Sequence, residues 1–335
     1  MAVSHRKAPK TWSLLGDVKR RPSAYEATAA KFNYHFRRDP APFEMDPQAP
    51  LNLYYLANRE GSPLNVADWE GFRDPAKLTY ADYVMLQHDR ETYLDLLTDH
   101  HEAAESMGTL DATWVDTLRQ LFVPLRFPLH VMQMLGLYVG QMAPTAFIIN
   151  CANFQAADEL RRIQRIAYAT KALANAHGDV LAQTATARDA WEHAPAWQPL
   201  REVLEQMLAV QDWGEAFVAL NLALKPAIDA VVNVQLAELA AQNGDEYLSL
   251  LLAEFQLDSQ RSRNWTAALV QHAVSQDPAM AEVVTGWLAT WQPRADNAVQ
   301  ALAPLFETAK HPLDAGHVVA GALAQRQAVL AACGL

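Results

Sequence analysis

The chain has 335 residues, of which 51% are hydrophobic, and a formal net charge of −11. This length and apolar content are sufficient for a large folded core, whereas the acidity and the lack of a basic, aromatic-interleaved stripe argue against nucleic acid as a partner. Only two cysteines occur, and no leader pattern follows Met1, so we expect a cytoplasmic protein. The low glycine count of 13 and the scarcity of alternating valine-rich runs favour an all-α fold.

Residues 1–78 read as an extended N-terminal arm, rich in proline and single aromatic side chains. Residues 1–40 hold nine Lys/Arg against three Asp/Glu, which leaves 18 basic and 35 acidic residues in the rest of the chain. The first 40 residues therefore carry a net charge of +6 and the rest of the chain a net charge of −17. We expect the basic segment to lie on an acidic surface, either of this chain or of a partner. The many aromatics of the arm predict that it becomes ordered on its own domain or on another subunit, and both alternatives stay open.

Residues 79–335 are predicted to form a single helical domain, beginning with a long helix over 79–107 and a short one over 114–122. Residues 127–157 contain no Asp, Glu, Lys or Arg. Polar side chains and Pro144 interrupt this stretch, which argues against a membrane span and divides it into two helices. Because a soluble helix normally keeps one charged face, we expect burial on all sides, in a bundle centre or at a subunit interface.

The second of these helices is predicted to end near residue 176, before Gly178. Further helices are expected over 196–211, over 213–241 with a kink at Pro226, and over 245–275. Residues 279–335 predict two or three more helices, and no linker or short-period repeat divides the domain.

Two segments with the pattern D-x-x-R-x lie 100 positions apart on two long helices: Asp158-Glu159-Leu160-Arg161-Arg162 and Asp258-Ser259-Gln260-Arg261-Ser262. In helical di-iron sites each of two helices supplies E-x-x-H, because positions i and i+3 share a face, and each of the other two helices supplies one Glu. Helical spacing places the equivalent positions here, Glu159, Arg162, Ser259 and Ser262, on inward-facing stripes. These four are therefore degenerate ligand positions.

Only Glu159 of the four has a side chain that suits iron, and Arg162 adds a fixed positive charge where the cations would sit. We therefore predict that this chain binds no metal and has no catalytic residue. The remaining charges suggest ion pairs across the two helices, Asp158 with Arg261 or Asp258 with Arg161, that fix the helix register. The alternative is ordinary i,i+3 pairs within each helix.

The chain resembles the β subunit of the hydroxylase in bacterial multicomponent monooxygenases, most closely the toluene and aromatic group. The resemblance covers residues 11–300 and is carried by several irregular motifs. They are Trp12-Ser13-Leu14, Arg20-Arg21-Pro22-Ser23 with Tyr25-Glu26, Asp68-Trp69 with Phe72-Arg73-Asp74-Pro75, the run QMAPTAFIINCANFQAADELR over 141–161, Asp212-Trp213-Gly214-Glu215-Ala216-Phe217 and Lys225-Pro226-Ala227.

The resemblance implies a ferritin-like fold and a catalytically inactive scaffold subunit of an NADH- and O₂-dependent aromatic monooxygenase. The di-iron centre would lie in a partner α subunit, with a γ subunit completing an (αβγ)₂ hydroxylase. A regulatory protein, a Rieske-type ferredoxin and a reductase would be the other components. The alternatives are the equivalent subunit of an alkene, ether or propane monooxygenase and a free-standing di-iron oxidase with unusual ligands.

The resemblance implies that the N-terminal arm wraps around the α subunit like a clasp. It also implies that the uncharged helices lie at a subunit interface. The residues expected to make subunit contacts are Arg20, Arg21, Tyr25, Trp69, Arg73 and Asp74, each of which has an intrachain contact as its alternative. The substrate pocket would lie in α, so the sequence does not identify the hydrocarbon.

Overall fold

A computed structural model of the protein describes residues 23–30 and 48–335, which form α-helices and short turns with no β-strand among them. The predicted all-α fold is confirmed. The helices are α1 (Ala24–Ala30), α2 (Pro50–Tyr55), α3 (Tyr80–Ala103), α4 (Ala112–Leu121), α5 (Arg126–Met142), α6 (Ala146–His177), α7 (Thr184–His193), α8 (Gln198–Leu208), α9 (Trp213–Gln242), α10 (Glu246–Gln276), α11 (Met280–Leu302) and α12 (Ala315–Cys333).

The long helices begin at side chains that cap them. Thr79 and Asp82 form a reciprocal capping box at the start of α3, and the Asp245 side chain accepts the Leu248 N–H at the start of α10. The predicted helix over 79–107 ends earlier, at Ala103, because a 3₁₀ turn at Ser106–Thr109 follows. Elsewhere the predicted boundaries lie within a few residues of the observed ones.

Pro144 separates α5 from α6, as predicted, and Thr145 caps α6. The two helices pack closely because α5 presents glycines to α6: a Cβ added at Gly136 would lie 3.5 Å from the Ala156 Cβ. The uncharged stretch was predicted to be buried on all sides, in a bundle centre or at a subunit interface; the first alternative is wrong for α5, and the second stays a prediction. Met134 and Leu137 are 38% and 43% exposed, because this helix packs on its neighbours with only one side.

Helix α9 runs through the middle of the fold. It contains two π-helical segments, Val218–Leu224 and Ala230–Gln235, and Pro226 lies two residues after the first, where the hydrogen-bond register changes. Among the described residues it is the one helix long and apolar enough to cross a membrane, but 94% of the apolar window is buried inside the protein. This burial is typical of a core helix.

Helices α5, α6, α9 and α10 form the central bundle, and α3 lies across α6 and α10. Parts of the predicted arm join the same core. The Tyr25 ring lies 5.5 Å from the Phe147 ring of α6, and the Trp69 ring lies 5.3 Å edge-on to that of Trp213. The arm is not wholly extended, since α1 and α2 are helical. The described arm residues therefore pack on the chain's own bundle.

Candidate functional site

The inward-facing charges of α6 and α9 meet at the centre of the bundle. Glu159 and Arg162 lie one turn apart on α6, and Lys225 and Asp229 lie one turn apart on α9. The spacing of three or four residues places both members of each pair on one helical face. No side chain of the four is more than 6% exposed, and we refer to them as the central ion cluster.

Each cation of the central ion cluster contacts both carboxylates. The Arg162 Nη1 donates to Glu159 Oε2 at 2.8 Å and to Asp229 Oδ1 at 2.9 Å. The Lys225 Nζ lies 2.9 Å from Asp229 Oδ2 and also donates to Glu159 Oε1. Two positive and two negative charges cancel, so burial leaves no net charge inside the bundle.

Neutral polar side chains connect this cluster to the second D-x-x-R-x segment, on α10. The Arg162 Nη2 donates to Asn233 Oδ1 at 3.0 Å, and Asn233 Nδ2 donates to Ser259 Oγ at 3.0 Å. The Ser262 hydroxyl donates to Gln155 Oε1, and Gln155 pairs with Asn221 through bonds of 2.8 and 3.3 Å. All four degenerate ligand positions are therefore buried and hydrogen-bonded. Glu159, Arg162 and Ser259 share one network, and Ser262 belongs to a second.

The pKa values of the cluster follow from burial and from the partners. Burial alone would raise the pKa of Asp229, but the positive charges of Lys225 and Arg162 outweigh it and lower the pKa to about 2. Burial would lower the pKa of Lys225, but Asp229 and Glu159 outweigh it and raise the pKa. The neighbouring opposite charges thus favour the charged forms of Asp229, Lys225 and Arg162.

The donors at this place do not fit a di-iron group. Such a site needs a Glu from each of two helices and an E-x-x-H pair from each of the other two. Helix α9 presents Lys225 instead, α5 turns apolar side chains such as Leu129, Met132 and Val139 inward, and the Glu159 carboxylate is already held by two cations. Within residues 23–30 and 48–335, no group of three or more His, Cys, Asp or Glu side chains is placed to hold a metal ion.

The Asp and Arg side chains of the two D-x-x-R-x segments form a second set of charges, the outer ion network, between α3, α6 and α10. The Arg161 Nη1 donates to Asp258 Oδ2 at 2.6 Å, and Arg261 donates to Asp158 Oδ2. Arg261 also lies 3.1 Å from Asp258 on its own helix. The structure therefore contains both cross-helix pairs that the sequence suggested and one i,i+3 pair. Whether they fix the register stays a prediction.

Helix α3 supplies further hydrogen-bond and ion-pair partners to the outer ion network. The Tyr83 hydroxyl donates to Asp158 at 2.8 Å, the Gln87 amide donates to Asp158 and Asp258, and the Arg90 guanidinium contacts Asp258. Burial, followed by the negative charge of Asp258, raises the pKa of Asp158 to about 7.

The residues expected at subunit contacts have different surroundings. Arg20 and Arg21 lie outside the described residues. Tyr25, Trp69 and Asp74 are buried against the chain's own helices, which favours their intrachain alternative because a buried side chain offers a partner no surface. Arg73 lies over the Phe147 ring at 4.1 Å and is 31% exposed, so its contact with a partner stays a prediction.

Five residues of this site were not predicted from the sequence: Lys225, Asp229, Asn233, Gln155 and Asn221. A signal for the first two was present, because they are the only charged residues between Glu215 and Glu238 and lie one turn apart. Opposite charges on one face of an otherwise apolar helix indicate a buried ion pair. The amides carry no comparable signal.

The sequence matches the family described as Methane/Phenol/Alkene Hydroxylase over residues 55–277. The chain belongs to this family. It is 37% identical over 301 residues to the hydroxylase component subunit beta of the toluene-4-monooxygenase system of Ectopseudomonas mendocina, with 90% of this chain and 91% of that subunit covered. It is also 27% identical to the DmpL oxygenase component of phenol 2-monooxygenase from Pseudomonas sp. (strain CF600), covering 83% and 79%. The predicted resemblance to hydroxylase β subunits is confirmed.

Solved structures agree with this membership. A chain in the structure of toluene 4-monooxygenase with toluene bound in the resting active site superimposes with a TM-score of 0.83 at 37% identity, covering 90% of this chain and 98% of that one. A chain of the phenol hydroxylase from Pseudomonas sp. OX1 superimposes with a TM-score of 0.80 at 20% identity, covering 100% and 98%. The second comparison supports the fold alone. As a family member, the chain is a component of a multi-subunit monooxygenase.

Proposed function

We propose that this chain is the non-catalytic β subunit of a cytoplasmic di-iron hydroxylase that oxygenates toluene or related aromatic hydrocarbons. The iron is held by a separate α subunit, and a γ subunit completes an (αβγ)₂ hydroxylase. A regulatory protein, a Rieske-type ferredoxin and an NADH-dependent reductase serve the same system. The isolated chain has no activity of its own.

The observation that carries this proposal is the contact of Lys225 and Arg162 with both buried carboxylates, Glu159 and Asp229. Two side-chain cations take up the carboxylate charge that a metal site would use. The cluster needs no added cation for neutrality, and a dication brought against two fixed positive charges would be repelled. The bundle centre is therefore suited to stabilising the subunit.

The aromatic substrate class rests on the relatives. The toluene-4-monooxygenase subunit is 37% identical to this chain, whereas the hydroxylase small subunit of the propane 2-monooxygenase of Gordonia sp. (strain TY-5) is 24% identical. The alternative is the equivalent subunit of a propane, alkene or ether enzyme. Turnover of toluene, phenol, propene and propane by the reconstituted system separates the two, and preferential oxidation of propane would favour the alternative.

The decisive experiment is purification of the tagged chain from its own cells, followed by iron analysis of each separated subunit. We expect a longer chain with two E-x-x-H motifs to co-purify, with about two irons per longer chain. We expect no stoichiometric iron in this chain when it is purified alone. About two irons per molecule of the isolated chain would defeat the proposal and favour a free-standing di-iron oxidase.

A further inference from the structure

A small polar cavity lies where the N-terminal arm meets α6 and α10, and we call it the arm cavity. It offers about 10 Å³ to the centre of a water-sized sphere, which suits one water molecule and no larger ligand. Besides two aromatic rings and the Cys151 thiol, polar side chains line it: Asp74 from the arm, Gln155 and Asp158 from α6, and Arg261 and Ser262 from α10. A cavity with several polar walls is able to hold water, whereas an apolar one stays dry.

Arg261 brings an unsatisfied donor to the arm cavity. Its Nη2 atom donates to the Asp158 carboxylate, but its Nη1 atom is buried and has no hydrogen-bond partner among the described residues. A guanidinium nitrogen in this state has lost its hydration and gained no protein bond in return, which destabilises the folded chain. An acceptor inside the cavity would restore the missing bond.

Asp74 supplies a carboxylate to the same cavity. The side chain is buried, and its Oδ1 atom accepts the Ala76 N–H at 3.0 Å. Burial raises the pKa of Asp74, and the Ala76 N–H and the positive charge of Arg261 oppose that rise. Asp74 and Arg261 are thus close enough to interact electrostatically, although no direct hydrogen bond joins their side chains in the described part of the chain. A gap of this kind between two polar groups is often bridged by a water molecule.

The other polar groups at the arm cavity are already paired with one another. The Ser262 hydroxyl and the Trp265 indole N–H both donate to Gln155 Oε1. An anion in the cavity would be repelled by the two carboxylates, and a metal cation would be repelled by the guanidinium. A neutral molecule that both accepts and donates hydrogen bonds suits these walls, and the volume limits it to water.

We propose that one ordered water molecule occupies the arm cavity, where it accepts a hydrogen bond from Arg261 Nη1 and donates to the carboxylates of Asp74 and Asp158. Buried waters typically make about three hydrogen bonds, and these walls supply that number. The water joins the arm to the outer ion network and so helps to hold the arm on the bundle. The site is built from residues of this chain alone and does not rest on the proposed function.

A crystal structure of the full chain, with any subunits that co-purify, tests the proposal at a resolution that orders internal waters. The matched control is a second cavity of about 10 Å³, between α4, α6 and α10, whose walls are mainly apolar. Its two polar side chains, Asp245 and Tyr247, already have protein partners. We expect one water in the arm cavity, within hydrogen-bond distance of Arg261 Nη1 and Asp74, and none in the control cavity.

Three results would overturn the proposal. The arm cavity holds no water, or Arg261 Nη1 bonds directly to a protein acceptor instead. Equal hydration of the two cavities is the third, because cavity size alone would then account for the water.

Filling each cavity gives a second test. Cys151→Val replaces the thiol by two methyl groups and should displace the water, which leaves Arg261 Nη1 without an acceptor and lowers the melting temperature of the full chain by about 2–4 °C. Ala169→Val, on the same helix, fills the control cavity and should leave the melting temperature unchanged or raise it. A Cys151→Val chain at least as stable as the wild type would contradict the proposal, because filling a dry cavity stabilises. If this variant does not fold, the wild-type crystal structure decides.

Discussion

The Nζ atom of Lys225 lies 2.9 Å from the Oδ2 atom of Asp229, one turn further along α9. The same amine also contacts the Glu159 carboxylate of α6, so a single side chain joins two helices at the centre of the bundle. Buried charges of this kind are strongly dependent on one another, because removing one leaves the others uncompensated.

Lys225→Met should therefore destabilise the chain by about 3–5 kcal/mol, since Glu159 and Asp229 would share the single charge of Arg162. Lys171→Met is the matched control, because Lys171 is 59% exposed and pairs with the exposed Asp179. It should change the free energy of unfolding by less than about 0.5 kcal/mol. Urea unfolding measures both. A loss for Lys225→Met no larger than that of the control would contradict the account of the central ion cluster.

A double variant that removes one positive and one negative charge tests the same charge balance. Lys225→Met/Asp229→Leu removes one charge of each sign and leaves Arg162 with Glu159. Its free energy of unfolding should exceed that of Lys225→Met alone, because no carboxylate remains without a full counter-charge. A double variant less stable than the single variant would show that packing, rather than charge balance, dominates at this site.

The cross-helix pairs of the outer ion network should couple in double-mutant cycles. For Asp158/Arg261 and Asp258/Arg161, truncated to Ala singly and together, we expect coupling energies of about 1–3 kcal/mol. The exposed pair Arg201/Glu205 on α8 has a similar N–O distance of 2.7 Å and should give about 0.3–0.5 kcal/mol. Negligible coupling in both buried pairs would sink the hypothesis that they fix the register of α6 and α10.

Asp158 should make the chain less stable as the pH rises. Its folded pKa is about 7, whereas the unfolded value of an aspartate is about 3.9. Between these values the folded chain binds more protons than the unfolded chain, so the free energy of unfolding falls with increasing pH until the folded carboxyl has ionised. The contacts agree with this direction, since five carboxylates outnumber the four arginines that bridge them. The carboxylates are Asp158, Asp258, Glu91, Glu254 and Asp95, and the arginines are Arg90, Arg161, Arg165 and Arg261.

Urea unfolding between pH 5 and pH 8 measures this dependence. Asp158→Asn removes the titrating group, so its free energy of unfolding should decline less steeply than that of the wild type over this range. Subtracting the two profiles cancels the other titrating groups. Parallel profiles, or a wild type that gains stability relative to the variant with rising pH, would be the opposite result.

Gly214→Ala should destabilise the chain by about 1–3 kcal/mol through overpacking. An added Cβ would lie 2.7 Å from the Leu64 Cβ and 3.0 Å from the Ser62 Oγ, and a Cβ cannot rotate away. Gly286→Ala is the control, because nothing lies within 4 Å of its added Cβ and it is exposed within α11. It should stabilise the helix by about 0.5–1 kcal/mol. Thermal unfolding of both variants measures the difference, and equal effects would contradict close packing of residues 62–64 on α9.

Helix periodicity and caps made most of the fold predictable. The inward stripes of α6 and α10 were predicted from spacing alone, and Glu159, Arg162, Ser259 and Ser262 are all buried. The helix break at Pro144 also follows from chemistry within the sequence, because proline removes an N–H donor. These features depend on residues within one or two turns of each other, which is the range over which sequence patterns are informative.

The sequence by itself determined that the chain is helical, that its ligand positions are degenerate, and that two Asp–Arg pairs repeat across two helices. Only the tertiary structure decided which charges meet. Lys225 and Asp229 complete the central ion cluster from α9, 66 and 70 positions beyond Glu159, and Tyr83, Gln87 and Arg90 close the outer one from α3. It also decided that α5 keeps an uncharged face exposed. Both depend on how helices distant in sequence are arranged around one another, which no periodicity within a single helix records.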